Sequence, residues 1–189
     1  AVEIIDGKNE AALVFSNHIE ELLNPKHAYL YIDVGGGSTE LTLFAKGKLI
    51  FKESFNIGTI RLLKNQVSNN MWNSMKDFLK KYTKDYGETV AIGSGGNINK
   101  IFSLSKKKEG KPLTLESLKD YYKEFDNTTL EERMHTYKLR EDRADVIVPA
   151  LQIYINVMRW AEVKEIHVPK IGLADGLIHH LYDEVKAPS

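Results

Sequence analysis

The 189-residue sequence contains no cysteine. Disulfides and thiolate metal sites are excluded, and the chain is expected in a reducing cytoplasm. No apolar run approaches the roughly 20 residues that a membrane-spanning helix needs, so no membrane partner is expected. The opening AVEIIDGKNEAA lacks the charged-then-apolar layout of a secretory signal. It also lacks a methionine, which suggests processing or a piece of something longer. Neither sign of charge is in excess, with 26 basic residues against 26 acidic ones. That balance argues against a nucleic-acid partner, because general nucleic-acid binders carry a basic surplus. It leaves a local anion site open, since such a site needs only a few cations. Internal repeats and low-complexity segments are absent. What is there suits a folded domain, because 42% hydrophobic residues can build a sizeable core.

Hydrophobic spacing gives an α/β pattern. Residues 10–23 read as an amphipathic helix that Asn24-Pro25 ends. Residues 28–32 are a short apolar run, as in a strand covered on both faces. Alternation over 41–45, a turn at Lys46-Gly47 and a return strand over 49–55 make a hairpin. A helix is expected over 71–84, with Trp72, Met75, Phe78, Leu79 and Tyr82 on one face. Residues 89–92 are another buried strand, followed by a helix over 98–104. Thr114 caps a helix reaching Phe125, with Ser117 as a second possible cap, and a shorter helix covers 130–137. Residues 143–161 read as one long buried helix, with Pro149 marking a kink or a true start. A last strand over 165–168 and a last helix over 173–182 complete the pattern.

The strongest chemical signal is the run Asp33-Val34-Gly35-Gly36-Gly37-Ser38-Thr39-Glu40. Three consecutive glycines let the backbone approach an anion closely, and successive N–H groups can form an anion-binding nest. Asp33 stands where a buried strand opens into the loop, a place suited to holding Mg²⁺. Ser38 and Thr39 add hydroxyls, and Glu40 is a second carboxylate across the loop. The plainer reading is a glycine-rich hairpin with a stray Asp. The polar residues gathered between two strong strands favour phosphate binding instead. Because a strand follows the loop, it is neither a Walker A loop nor a dinucleotide fingerprint. Strand–loop–strand with a leading Asp suits ribonuclease-H-like and actin-like folds.

A second glycine run, Gly93-Ser94-Gly95-Gly96-Asn97, joins a strand to a helix. It offers backbone donors at a helix N-terminus, where the dipole favours anions. It reads equally as an ordinary turn when taken alone, and as a ligand loop beside the first. Gly172-Leu173-Ala174-Asp175-Gly176 is either a third helix entry near the site or a tight packing point. The histidines show no metal-ligand spacing, and Lys106 to Lys108 read as a solvated loop.

Together these segments resemble the exopolyphosphatase/guanosine pentaphosphate phosphatase (Ppx/GppA) family. The likeness covers nearly the whole chain: GKNEAALVF, YIDVGGGSTELTLF, FNIGTIRL, AIGSGGNINKI, LREDRADVIVPAL and VPKIGLADGLI. The resemblance implies an actin-like fold of two ribonuclease-H-like domains, with residues 1–189 forming the second alone. It implies a Mg²⁺-dependent hydrolase that removes terminal phosphate from polyphosphate or guanosine pentaphosphate. Carried over by position, Glu10 matches the catalytic base and Asp33 the metal-linked aspartate. Gly35, Gly36, Gly37 and Ser38 match the phosphate loop, and Glu40 its closing glutamate, expected to be catalytic together with Glu10. Gly93, Ser94, Gly95 and Gly96 are expected to assist in binding phosphate. Glu10 would not stand out without the resemblance, since a Glu in a first helical turn merely suits the dipole.

The chain departs from the family pattern in two places. Ala12 stands where an Arg is frequent, and Ala174-Asp175 where Arg-Glu is common. The lost cations imply a weaker grip on long polyphosphate and a shorter substrate. Arg61 is either a contact to substrate phosphate or a structural ion-pair partner. Arg143 and Asp145 are expected to cap a helix and form salt bridges. The family's first domain has no counterpart here, so the isolated chain is expected to be weak or inactive, with that domain as partner; a homodimer is possible. Two other readings stay open: a non-catalytic module binding guanosine penta- or tetraphosphate, and an ATPase or kinase relative of the same fold.

Overall fold

A computed structural model of the chain describes residues 26–169. The helices expected over 10–23 and 173–182, with Glu10 and the Gly172–Gly176 run, lie outside the described residues. Strand β1 (Ala28–Val34) is the continuous apolar run, lengthened to take in Asp33. β2 (Thr39–Ala45) and β3 (Lys48–Phe55) return antiparallel. Their connection is Lys46-Gly47, both with positive φ, 52° and 66°. Two such residues give the turn whose twist matches that of the flanking strands. β3 is an edge strand and exposes Lys48, Lys52 and Glu53, which discourages pairing with another chain.

Two helices follow, α1 (Thr59–Leu63) and α2 (Asn69–Thr83). The spacing predicts α2 and its inward face, on which Met75 and Leu79 are fully buried. It does not predict α1. β4 (Thr89–Ser94) then runs parallel to β1, and α3 (Gly96–Leu104) leaves its end. Beyond the exposed lysine loop comes a two-residue strand, β5 (Leu113–Thr114), also unpredicted. α4 (Leu115–Asp126) starts at Thr114, and α5 (Leu130–Tyr137) starts at Thr129. Both caps are reciprocal boxes, with Ser117 and Glu132 answering the cap residue.

The long helix expected over 143–161 is two helices, α6 (Glu141–Ala144) and α7 (Ile147–Trp160). Pro149 explains the break. It occupies the third position of α7, where a backbone N–H has no intrahelical acceptor to lose. β6 (Glu165–His167) closes the described chain.

The strand order is β3-β2-β1-β4-β6-β5, with β4 and β6 parallel to β1 and the others antiparallel to their neighbours. One sheet face, carrying Ala28, Leu30, Ile32, Leu41 and Leu43, forms the core with α2, α4 and α7. Tyr154, Phe125 and Leu151 are completely buried there. The other face carries Tyr29, Tyr31, Phe44 and Ile92, all buried as well. Both faces of the central strands are dry, as their unbroken apolar runs require.

Two predictions follow from this packing. Leu30→Ala removes a fully buried side chain from the central strand. It should cost about 3 kcal/mol in a urea unfolding experiment, with an unchanged denaturant slope. The second concerns His167, half-buried in β6. Burial pushes its imidazole below the ordinary value of 6.5, and the nearby Glu165 only partly counters this. The unfolded chain therefore takes up the proton first, so stability present above pH 6.5 is lost as pH falls below it. His167→Asn should shrink the difference between unfolding midpoints measured at about pH 7.5 and about pH 5.5.

Candidate functional site

The first glycine loop is shaped by a helix that the sequence pattern does not reveal. Gly35 N–H donates to the Ser38 carbonyl at 2.9 Å, closing the turn between β1 and β2. The loop carbonyls then turn towards the start of α1. Thr59 N–H donates to Gly35 O at 3.0 Å, Ile60 N–H to Gly36 O at 2.9 Å and Arg61 N–H to Gly36 O at 3.3 Å. The Arg61 side chain completes the set, with Nε donating to Gly37 O at 2.7 Å. Neither reading of Arg61 from the sequence describes this contact, in which it braces the loop through a backbone carbonyl.

The consequence follows from peptide geometry. In a trans peptide the carbonyl of one residue and the N–H of the next point in opposite directions. With the carbonyls of Gly35, Gly36 and Gly37 drawn to α1, the N–H groups of Gly36, Gly37 and Ser38 face the other way. Among the described residues, none of these three has an acceptor. The loop is thus a row of outward donors with its acceptors tied down behind, which is the form of an anion nest.

Gly58 makes the approach possible. A Cβ there would collide with the Gly36 carbonyl and lie 2.6 Å from the carbonyl carbon of Gly37. Its φ of −142° is ordinary, so the requirement is for space and not for an unusual backbone. Thr39 fixes the same contact, its hydroxyl donating to Ile57 O at 2.6 Å from a fully buried position.

Beside the loop, strand register lines up a row of polar residues. Ser54 pairs with Glu40, Glu40 with Asp33, and Asp33 with Ser94. Paired positions share a sheet face, so four strands contribute one residue each to a single row. Glu40 Oε1 accepts from Ser54 Oγ at 2.7 Å and from Ser38 Oγ at 3.0 Å. Its carboxylate is thereby held beside the glycine loop.

The second glycine run divides between two tasks. Gly93 lies inside β4, not in the turn, and a Cβ there would stand 2.8 Å from Ile166 Cδ1. It is a packing glycine that faces the core, which corrects its expected place among the phosphate-binding residues. Ser94 joins the polar row, and its carbonyl accepts from Tyr154 Oη at 2.5 Å. Gly95 makes the turn with φ 111°, which side-chain-bearing residues rarely adopt. A Cβ on it would be 3.5 Å from Asp33 Oδ1, so this turn abuts the aspartate. Gly96 opens α3. Both glycine turns stand at the carboxyl ends of the adjacent parallel strands β1 and β4, where open α/β sheets bind their ligands.

Tyr154 ties this end together from below. Burial, and secondly the Asp33 charge, push its phenol well above the ordinary value, so it stays a hydrogen-bond donor. Arg143 also differs from its expected role. Its Nη1 donates to Asn97 Oδ1 at 2.7 Å, and the guanidinium lies against Gly96, where the sequence reading has capping and salt bridging. Among the described residues no group of three metal-ligating side chains is found. Asp33 and Glu40 fit a Mg²⁺ site of the usual kind, one or two carboxylates completed by water and substrate phosphate.

A mixed sheet in this order, with two glycine turns at one end, defines a ribonuclease-H-like domain of the actin-like superfamily. Its solved counterparts include the Aquifex aeolicus member of the Ppx/GppA protein family. That structure superposes with a TM-score of 0.67 at 22% identity, covering 100% of this chain and 66% of the other. An exopolyphosphatase from Cytophaga hutchinsonii gives 0.64 at 26%, covering 100% and 67%. The Ppx/GppA phosphatase family profile matches residues 1–185, and the chain belongs to that family. In sequence it is similar to a guanosine-5'-triphosphate,3'-diphosphate pyrophosphatase of Vibrio parahaemolyticus. The two are 23% identical over 199 residues, 98% of this chain and 40% of that relative. The chain therefore spans about 40% of the length of the curated relative it matches. No described helix is long and apolar enough to cross a membrane.

The clamp between α1 and the loop can be tested directly. Gly58→Ala forces the two backbones apart and should lower the affinity for tripolyphosphate about tenfold or more, read by calorimetry. Tyr154→Phe should take from the part-buried Ser94 carbonyl the hydroxyl of a fully buried side chain and cost about 1–3 kcal/mol of stability in denaturant unfolding.

Proposed function

We propose that this chain is one wall of a Mg²⁺-dependent phosphatase that removes the terminal phosphate of polyphosphate or guanosine pentaphosphate. The observation that carries the reading is the row of outward N–H groups at Gly36, Gly37 and Ser38 beside the Asp33–Glu40 pair. Family membership supports it. The whole reaction is assigned to this domain together with a second domain across the cleft, so the chain alone is weak or inactive. Such an enzyme works in the cytoplasm.

The three loop amides would bind non-bridging oxygens of the reacting phosphoryl group. Their backs are already bonded to α1, so they would not have to reorganise as charge develops. Gly95 and the first turn of α3 would hold a neighbouring phosphate against the helix N-terminus. Asp33 and Glu40 would hold Mg²⁺, which supplies charge neutralisation for the phosphates. The hydroxyls of Ser38 and Ser54 fix the Glu40 carboxylate for this task. Glu10, outside the described residues, is assigned as the base on the family pattern alone. It would take a proton from water as that water's oxygen bonds to the terminal phosphorus. The anhydride P–O bond breaks, releasing orthophosphate and a shorter polyanion.

Phosphate release should be read on the chain joined to its companion domain and on the chain alone. Glu10→Gln should lower the rate about 10²–10⁴-fold with little change in KM. EDTA should abolish release, and added Mg²⁺ should restore it. A variant with the parent rate would remove Glu10 from the mechanism. Tight binding of guanosine pentaphosphate with no release from the joined protein would replace the phosphatase by a sensing module.

A further inference from the structure

A fully buried tyrosine stands beneath the two glycine turns, and the chemistry assigned to the site makes no use of its hydroxyl. Tyr154 lies in the middle of α7, with no exposed surface. A phenylalanine would fill the same space in the core, so packing alone does not account for the oxygen. Burying a hydroxyl costs free energy unless it finds partners. Here it finds them at one place, the fork where β1 and β4 part. The parallel ladder between these strands ends at Asp33 and Ser94. Beyond it β1 turns towards β2, and β4 turns through Gly95 into α3. At the fork Tyr154 Oη donates to the Ser94 carbonyl at 2.5 Å. On the β1 side the same oxygen takes a backbone hydrogen bond from Val34. One hydroxyl therefore holds both strands at the point where their own pairing stops.

Other groups of the site meet around this oxygen. A Cβ on Gly95 would stand 3.9 Å from Tyr154 Oη, 3.5 Å from Asp33 Oδ1 and 3.5 Å from Val34 O. The second glycine turn, the carboxylate and the end of β1 thus share one contact point. Burial, and secondly Asp33, hold the phenol well above its ordinary value, so it keeps its proton beside that carboxylate. The helix that carries it also supports the first turn. α7 packs against α1, whose start is bonded to the carbonyls of Gly35 and Gly36. It packs against α3 as well, which leaves the second turn. Both turns consequently rest on one helix, and the hydroxyl is its direct bond to the strand ends that carry them.

We infer that Tyr154 is a positioning residue that joins the two glycine turns into one binding site, by fixing the distance between the anion nest of the first and the helix start of the second. The inference rests on the proposed function, in which the reacting phosphate lies at the first turn and its neighbour at the second. Consecutive phosphates of an anhydride share a bridging oxygen, so covalent bonds fix their separation. Two half-sites engage such a ligand together only when they stand at the matching distance. A single phosphate engages one turn and is indifferent to that distance. Loss of the hydroxyl therefore weakens ligands that span both turns and spares those that fill one. Lost stability by itself does not produce that split.

The test is calorimetric binding of two ligands in the presence of Mg²⁺, tripolyphosphate, which reaches both turns, and orthophosphate, which fills one. The proteins are the 189-residue chain, Tyr154→Phe and Leu118→Ala. Leu118 is fully buried in the first turn of α4, beside the edge strand β5, and its truncation controls for lost stability. All are measured below the thermal midpoint of the least stable variant. Tyr154→Phe should bind tripolyphosphate about tenfold more weakly and orthophosphate within about twofold of the parent chain, and Leu118→Ala should bind both within about twofold. Tyr154→Met, which fills most of the ring's space without a hydroxyl, should repeat the Phe result and replaces it if Phe does not fold. Equal losses for the two ligands, an unchanged tripolyphosphate affinity, or the same loss in Leu118→Ala would overturn the inference while leaving the phosphatase reading intact. Absence of binding of either ligand to the unmodified chain would remove both readings.

Discussion

The site depends on one backbone arrangement, the docking of the α1 N-terminus onto the carbonyls of the glycine loop. A helix start leaves N–H groups unsatisfied, and a tight glycine turn leaves carbonyls unsatisfied. Each resolves the other's deficit here. The arrangement does more than satisfy hydrogen bonds. By fixing which way three peptide planes face, it decides that the loop presents donors outward. A glycine-rich turn without this backing would sample both orientations, since glycine restricts neither. The glycines supply access, and α1 supplies the sign of the charge that the loop prefers.

The same end of the sheet shows how strand register builds a site from residues far apart in sequence. Ser54, Glu40, Asp33 and Ser94 come from four strands and fall in one row because side chains alternate strictly along each strand. A slip of one residue between β1 and β2 would send Glu40 to the core face and separate it from Asp33. Core packing opposes that slip, because it would move Leu41 and Leu43, both fully buried, from the helix-covered core face to the opposite face. The hydrophobic core therefore enforces the register that holds the two carboxylates together.

Much of this was legible from residues. The hairpin at Lys46-Gly47, the cap at Thr114 and the inward face of α2 all have local causes, and local causes leave local patterns. The position of the glycine run between two strands was readable for the same reason. What the pattern hid has non-local causes. α1 is five residues long, too short for a hydrophobic period, and its stability comes from the loop that it caps. β5 is two residues long and exists only because β6 is beside it. Gly58 offers no signal of strain, since its φ is ordinary, and only the facing backbone shows why a side chain is excluded. Gly93 misled because it stands in a glycine-rich run whose other members make the turn.

The two glycine turns also differ in what their surroundings let them bind. The first is backed by bonded carbonyls and stands beside the Asp33 and Glu40 carboxylates. The second opens a helix and is flanked by Arg143 and Lys100, so it suits phosphate carrying its full negative charge. Gly95 holds the two regions in contact. Its backbone conformation is one that other residues avoid, and its turn keeps the α3 start against Asp33. A substitution there would strain this backbone and disturb the boundary between the carboxylate side and the cationic side.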